Sequence, residues 1–296
     1  MDSKQCGGID LHLHSTASDG TYSPAEIIQM AAQIGLKAIS ITDHDTLEGS
    51  RQALQLNFPS TLRFITGVEI SAAIPPEWSI GGGIHLLGYG VDPEDAALGE
   101  SLDRFVVARN RRIDKIVDRL NAIGIDLTMA QVQAEVGDSV AGRPHVASAM
   151  INGGYATDVD DAFNRFLGND RPAYVGKERL DCRLAIELIR NAGGIPVLAH
   201  PYLVPAPDAD ALSTFMAHLC DAGLQGIEVY YTRHTPEAVA QYRSIAEAFD
   251  LLATGGSDFH GHVTPDIQMG RGCGDLFVPT ALFDALRLQC SPECTR

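Results

Sequence analysis

The sequence predicts an α/β fold of seven β-strands, mostly separated by helices and arranged as a (β/α)7 barrel, with a helical insertion breaking the series. Three observations predict it. Short apolar runs of strand length alternate with amphipathic, capped helical stretches along most of the chain. Residues able to bind metal sit at or just past the ends of those runs, where the loops of a β/α barrel converge on one mouth. The length of 296 residues, with 45% hydrophobic content, suits one large domain or a domain with an insertion.

The first strand covers roughly residues 8–12, in Gly8-Ile9-Asp10-Leu11-His12-Leu13-His14-Ser15, and its turn closes at Asp19-Gly20. Ile9, Leu11 and Leu13 alternate with Asp10, His12 and His14. A side-chain period of two therefore puts His12 and His14 on one face, where two imidazoles can grip one ion. Asp19 lies in a Ser/Gly-rich turn that could fold back over them. Alone, His-x-His is a weak signal, equally compatible with a half-buried strand carrying two polar histidines.

Ser23-Pro24-Ala25-Glu26 starts the first helix with a capping box and a proline at its first position, and Gly35 ends it. Leu36–Ile41 is strand two, finishing at Asp43 and His44, so the first two strands should be parallel neighbours. A helix over about 46–56 precedes strand three, Phe64–Ile70, which contains Glu69. Gly81-Gly82-Gly83 leads into strand four, Ile84–Val91, and no helix separates these two strands. His85 breaks the strand-end rule, lying near the start of strand four; a boundary shift of a few residues would remove the conflict.

Residues 93–172 form the insertion, with linkers expected near Asp92-Pro93 and Arg171-Pro172, so the barrel comprises residues 1–92 and 173–296. The insertion reads as a long helix over about 95–122, a start at Thr128 with Gln131 in the capping-box position, and short helices after Arg143-Pro144 and around 158–167. The long helix carries Arg104, Arg109, Arg111, Arg112, Lys115 and Arg119, read as a solvated face paired with Asp103, Asp114 and Asp118. Alternation resumes at Asp181, a helix cap. Strand five is Ile195–Ala199, ending in His200-Pro201. A helix over about 208–222 leads to strand six, Gly226–Tyr231. Thr235-Pro236-Glu237 caps another helix, and Leu251–Thr254 is strand seven, followed by Gly255-Gly256-Ser257-Asp258-Phe259-His260. A last helix lies near 280–289.

The formal net charge of −16 argues against non-specific binding of long duplex nucleic acid, and a small anionic substrate is easier to accommodate once divalent cations offset local carboxylates. No apolar run approaches the ~20 residues that span a bilayer. Cys6, Cys182, Cys220, Cys273, Cys290 and Cys294 form no CxxC pair and no disulfide framework, which suits a reducing cytoplasm; Cys290 and Cys294 are read as part of a loose tail.

Collected, the candidate ligands are His12, His14, Asp19, His44, Glu69, His85, His200, Asp258 and His260. Imidazole and carboxylate without thiolate suit Mn²⁺, Zn²⁺ or Fe²⁺, and the set is large enough for two or three ions sharing a bridging carboxylate. Such ions polarise phosphoryl oxygens and stabilise a leaving oxygen, and a carboxylate beside them can move the remaining proton. Asp45, next to His44, is a candidate orienter or proton carrier, or a cap for the following helix.

His12-x-His14, Thr42-Asp43-His44-Asp45, Gly67-Val68-Glu69, Ala199-His200-Pro201 and Ser257-Asp258-x-His260 resemble, in order, the motifs of the PHP (polymerase and histidinol phosphatase) family of metal-dependent phosphoesterases. The resemblance implies a distorted seven-stranded barrel. It implies one ion on His12, His14, Glu69 and Asp258, a second on Asp19, His44 and His260, and a third on Glu69, His85 and His200, with Asp45, His200 and Asp258 in catalytic roles. The insertion resembles the branch containing 3′,5′-nucleotide bisphosphate phosphatase and a 5′-to-3′ exoribonuclease. That likeness implies phosphate-binding groups at Arg143, His145, Arg171 and His234, although His145 could equally cap the helix after Pro144. His218 and His262 are read as bystanders.

The expectation is a cytoplasmic hydrolase. It removes the 3′-phosphate from a small nucleotide such as 3′,5′-adenosine bisphosphate through attack by a metal-bound hydroxide, with Mn²⁺ the favoured ion. The alternatives are a phosphodiesterase trimming short RNA from its 5′ end, a non-catalytic metal-binding or regulatory barrel, and a metal-dependent amidohydrolase. Tyr89, Tyr174 and Tyr230 are candidate stacking partners for a base.

Overall fold

In the computed structural model, which describes residues 7–78, 80–136, 142–176 and 179–296, the strands close almost completely into a barrel. Cys6 lies outside the described residues, as do the side chains of Val106, Ala108, Arg109 and Asn110. The strands are β1 (Asp10–Leu13), β2 (Ala38–Ile41), β3 (Arg63–Ala73), β4 (Gly83–Tyr89), β5 (Leu180–Asp181), β6 (Ile195–Leu198), β7 (Gly226–Tyr231) and β8 (Leu252–Gly256). Their order is β1-β2-β3-β4-β6-β7-β8. The last returns to the first where Asp258 N–H donates to His12 O at 2.9 Å and His14 N–H to Phe259 O at 3.0 Å. The two-residue β5 pairs with the end of β3, off this path.

All neighbours along the barrel are parallel except β4, which runs antiparallel to both β3 and β6. A hairpin through a single turn of helix at Pro76–Trp78 joins β3 to β4, which is why no full helix separates them. The reversal also resolves the position of His85. The start of an antiparallel strand lies at the same rim as the ends of its parallel companions, so His85 joins the other strand-end residues through strand direction, not through a shifted boundary.

The helices are α1 (Pro24–Ile34), α2 (Glu48–Leu54), α3 (Ala96–Ala122), α4 (Met129–Val136), α5 (Arg143–Asn152), α6 (Val159–Ala162), α7 (Cys182–Asn191), α8 (Ala209–Asp221), α9 (Pro236–Ala248) and α10 (Thr280–Arg287). The Ser23–Glu26 capping box forms, and Gly35 takes the left-handed conformation (φ 82°) that ends α1. Asp181, Asp208 and Thr235 cap α7, α8 and α9. α2 starts behind Leu47, whose side chain makes no cap, so Asp45 is not its cap residue.

One apolar cluster packs Leu13, Ile39 and Ile41 against Ile27, Ile28 and Ala31 of α1. Another joins Ile9, Leu11, Leu87 and Val197 to Phe283 and Leu286 of α10. β1 is buried on both faces, because its polar face is enclosed by the barrel. The chain's end is not a loose tail: Phe64 and Arg296 exchange both backbone hydrogen bonds, at 3.0 and 2.9 Å, and Cys294 is buried.

The chain divides into two compact units, one reaching Ser101 and resuming at Arg179, the other beginning at Leu102 and filling the interval. The division falls inside α3, past Asp92-Pro93, and the helix runs through it unbroken. The second unit has its own apolar cluster, in which Ile116 and Leu120 of α3 meet Leu127, Val132, Val146 and Met150. Two arginines of α3 bond within this unit. Arg112 Nε donates to Val175 O at 2.7 Å, and Arg119 donates to Tyr174 O. Among the described residues no helix is long and apolar enough to cross a membrane.

Candidate metal centre

The ends of β1, β2, β6 and β8, the start of β4 and Glu69 inside β3 gather the nine candidate ligands. Ligand atoms of His12, His14, Glu69 and Asp258 all lie within 4.8 Å of one another; so do those of His14, Asp19, His44 and His260, and those of His44, Glu69 and His85. His200 reaches the same carboxylate, its Nε2 3.0 Å from Glu69 Oε1, while His85 Nδ1 is 2.7 Å from that oxygen. Glu69 is thus common to two of the three groups and in contact with five histidines.

Local structure explains how each ligand arrives. The ladder extends past β2 as a bridge between His44 and Glu69, with Asp45 N–H donating to Glu69 O at 2.8 Å. Asp43 folds the turn carrying Asp19 back over the site: it accepts Ser15 N–H at 2.7 Å and the Ser15 and Ser18 hydroxyls, each at 2.6 Å. Asp45 (φ 55°), His200 (φ 27°) and Asp258 (φ 57°) adopt left-handed backbone in the loops that follow β2, β6 and β8. Such conformations cost about 1–3 kcal/mol each and persist where surrounding structure over-determines them.

The donor atoms fit a cation. His12 Nε2, His14 Nδ1 and Nε2, His44 Nδ1 and Glu69 Oε2 are buried with no well-formed hydrogen bond. His44 Nδ1 is only 2.9 Å from Glu69 Oε2, yet the pair is misaligned. Buried polar atoms are normally satisfied, so a packed set that is close but misdirected is what ligands of a shared positive centre would show.

Charge is distributed unevenly across the cluster. Burial would raise Asp19, Glu69 and Asp258, but the facing imidazoles outweigh it and hold all three well below the usual carboxylate range. Burial would lower His14, but the Asp258 and Glu69 carboxylates facing it push it up to about 10. His44 is pushed down to about 4 by burial, aided by the charge on His14 and opposed by Glu69 and Asp19.

The other expected residues fall elsewhere. Asp45 Oδ1 accepts Ser71 N–H at 2.8 Å, tying its loop to β3. His234 follows β7; its Nδ1–H donates to Val229 O at 2.8 Å, and its ring packs among Tyr202, Tyr231 and Tyr242. Arg143, His145 and Arg171 belong to the helical unit. Arg143 donates to Leu167 O at 3.1 Å and lies over the rings of Phe163 and Tyr174. His145 Nδ1 accepts Gly142 N–H at 3.0 Å, which caps α5, and Arg171 is exposed. His218 stacks on Trp78, and His262 lies 3.2 Å from the Tyr22 hydroxyl. Tyr89 is fully buried with its hydroxyl on Leu11 O, so it offers no face to a base.

Sequence reasoning missed four supporting residues: Asp10, Asp43, Glu228 and Tyr231. Asp10 had a signal, because alternation places it on the face of His12 and His14. It is fully buried and clips β1 to the segment after β8, accepting Ser257 N–H at 2.8 Å, the Ser257 hydroxyl at 2.6 Å and Gly270 N–H at 2.7 Å. Burial raises its carboxyl to about 6 despite these bonds. Glu228 accepts from His12 and Tyr231 donates to Asp258; neither stands out in the apolar run of β7.

Comparison with known proteins agrees with this geometry. The profile of the PHP domain matches residues 10–135. The 5′-3′ exoribonuclease Rnm of Escherichia coli (strain K12) is 30% identical over 294 residues, covering 97% of this chain and 95% of the relative. The 3′,5′-nucleoside bisphosphate phosphatase of Chromobacterium violaceum is 30% identical over 256 residues, covering 85% of this chain and 87% of the relative. A solved Bifidobacterium adolescentis protein, provisionally assigned as a metal-dependent phosphoesterase, superposes with a TM-score of 0.79 at 26% identity, covering 96% of this chain and 97% of its own.

Proposed function

Because this chain belongs to the PHP family of metal-dependent phosphoesterases, we propose that it hydrolyses the 3′-phosphate of nucleoside 3′,5′-bisphosphates, converting 3′,5′-adenosine bisphosphate to the 5′-monophosphate. The relatives that align over most of this chain are hydrolases, which sets aside a non-catalytic barrel. The observation that carries the reading is the cluster of misdirected imidazole and carboxylate atoms around Glu69. The substrate rests on the bisphosphate phosphatase relative.

In this reading His12, His14, Glu69 and Asp258 hold one divalent ion, Asp19, His44 and His260 a second, and Glu69, His85 and His200 a third. Mn²⁺ is the proposed ion, and the donors also suit Fe²⁺ and Zn²⁺. When bound, such ions polarise the phosphoryl oxygens and lower the pKa of water. In this reading His200 and Asp258, on strained turns facing Glu69 and His14 respectively, hold or pass a proton, a role shared with Asp45. Tyr202, 38% exposed two residues after His200, offers an aromatic face for the base. His234, Arg143, His145 and Arg171 are proposed as phosphate-binding residues.

A second reading, 5′-to-3′ trimming of short RNA, is favoured by the E. coli relative, which aligns over nearly the whole chain. One experiment separates them: phosphate release from 3′,5′-adenosine bisphosphate by the Mn²⁺-loaded protein, beside a 5′-phosphorylated RNA dinucleotide. Fast release yielding the 5′-monophosphate supports the phosphatase. Cleavage of the dinucleotide alone moves the protein to the exonuclease. Silence on both, with metal bound, discards both substrates.

A further inference from the structure

Glu228 and Tyr231 stand three residues apart on β7, a spacing that puts side chains on opposite faces of a regular strand. β7 is not regular. Glu228 lies opposite Thr254 and Tyr230 opposite Gly255, so Val229 is an extra residue with no partner on β8. A bulge of this kind re-aims the side chains beyond it. Both Glu228 and Tyr231 end on the ligand cluster.

Glu228 is fully buried and uses both oxygens there. His12 Nδ1–H donates to Oε1 at 2.9 Å, and the His200 backbone N–H donates to Oε2 at 2.7 Å. The Tyr231 hydroxyl donates to Asp258 Oδ2 at 2.8 Å. Each bond commits one atom and leaves another. His12 keeps Nε2, which lies 3.4 Å from both Glu69 Oε2 and Asp258 Oδ1. Asp258 keeps Oδ1, which faces His14 at 3.2 Å and His260 at 3.6 Å. The bond to His200 secures the left-handed residue that delivers that imidazole to Glu69.

We propose that the bulge at Val229 makes β7 the positioning strand of the metal centre: Glu228 and Tyr231 determine which atoms of His12, His200 and Asp258 are presented to metal. A carboxylate that accepts from one imidazole nitrogen selects the tautomer whose other nitrogen carries the lone pair, and loss of such a partner commonly weakens metal binding about 10–100-fold. A hydroxyl seated on one carboxylate oxygen uses one of its lone pairs and favours the other oxygen for coordination. This inference rests on the ligand assignment proposed above.

The test uses the full chain stripped of metal and titrated with Mn²⁺ for affinity and stoichiometry, and with Co²⁺ for its visible absorption, which reports ligand geometry. In Glu228→Gln one oxygen becomes a donor, so either the His200 N–H or the His12 tautomer is opposed; Mn²⁺ affinity should fall about 10–100-fold. Tyr231→Phe removes only the hydroxyl and should shift the Co²⁺ spectrum and weaken Mn²⁺ binding about 3–10-fold, below the range for loss of a histidine's partner, with the circular dichroism spectrum unchanged. Wild-type affinity and Co²⁺ spectrum in Tyr231→Phe would overturn the proposal even if Glu228→Gln failed to fold. Absence of metal binding by the unaltered protein would instead overturn the ligand assignment itself.

Discussion

In the barrel unit the fully buried side chains include His12, His14 and Glu69; in the helical unit the packed cluster of Leu120, Leu127, Val132, Val146 and Met150 is entirely apolar. The two units spend burial on different ends. An apolar cluster contributes about 25 cal/mol per Å² removed from water and asks nothing further. Buried imidazoles and carboxylates lose hydration and are tolerated only with partners of opposite charge. In the barrel unit those partners come from six strands far apart in sequence. In the helical unit the charged groups stay at the surface or on neighbouring backbone carbonyls, as Arg112 and Arg143 do. The difference separates burial that holds donor atoms together from burial that serves packing alone.

Four measurements test that contrast. Replacing His14 or Asp258 with Ala should lower kcat/KM at least about a thousandfold, roughly 4 kcal/mol of transition-state stabilisation, while the far-ultraviolet circular dichroism stays native. Wild-type turnover in either variant would sink the metal-centre assignment.

Metal binding should be proton-linked. The His14 imidazole sits at about 10 without metal, so at neutral pH it carries a proton that coordination must displace. Lowering the pH therefore weakens binding, and the apparent Kd for Mn²⁺ should rise about tenfold per unit between pH 8 and 6 for each proton displaced. A pH-independent Kd would show that His14 is not a ligand. Chelation should abolish turnover, and adding back Mn²⁺ should restore it.

The third experiment pairs two destabilising substitutions. Leu120→Ala should cost about 2–5 kcal/mol and reduce hydrogen-exchange protection in residues 102–176 without altering metal stoichiometry. A Cβ at Gly256 would run into His12 at the junction of β8 with β1. Gly256→Ala should therefore cost about 1–3 kcal/mol and also lower metal content. Equal metal loss in both variants would erase the contrast between the units. The smallest effect is expected at Arg171, where substitution by Ala should raise KM about 3–10-fold with kcat retained, the loss of one charge-assisted contact of roughly 1 kcal/mol; an unchanged KM removes Arg171 from the substrate site.

Much of the centre was legible because chemistry and period coincide. His12 and His14 share a face by alternation, and His44, His200, Asp258 and His260 stand where apolar runs stop. The caps of α1, α7 and α9 were equally local, since a cap depends on residues three or four positions apart. His85 was puzzling for the opposite reason: its placement depends on the direction of β4, which no local pattern encodes. The tail at Cys294–Arg296 looked loose because its partner, Phe64, lies far upstream.

By itself, the sequence determined the strand and helix series and the donor types, because these follow from side-chain period and capping chemistry within short windows. Tertiary structure alone decided the reversal of β4, the strained turns at Asp45, His200 and Asp258, the bulge at Val229 and the roles of Asp10, Asp43, Glu228 and Tyr231. The reason is that strand direction, register and the partner of a buried polar atom are set by contacts between residues tens to hundreds of positions apart, such as Asp10 with Ser257 and His12 with Glu228.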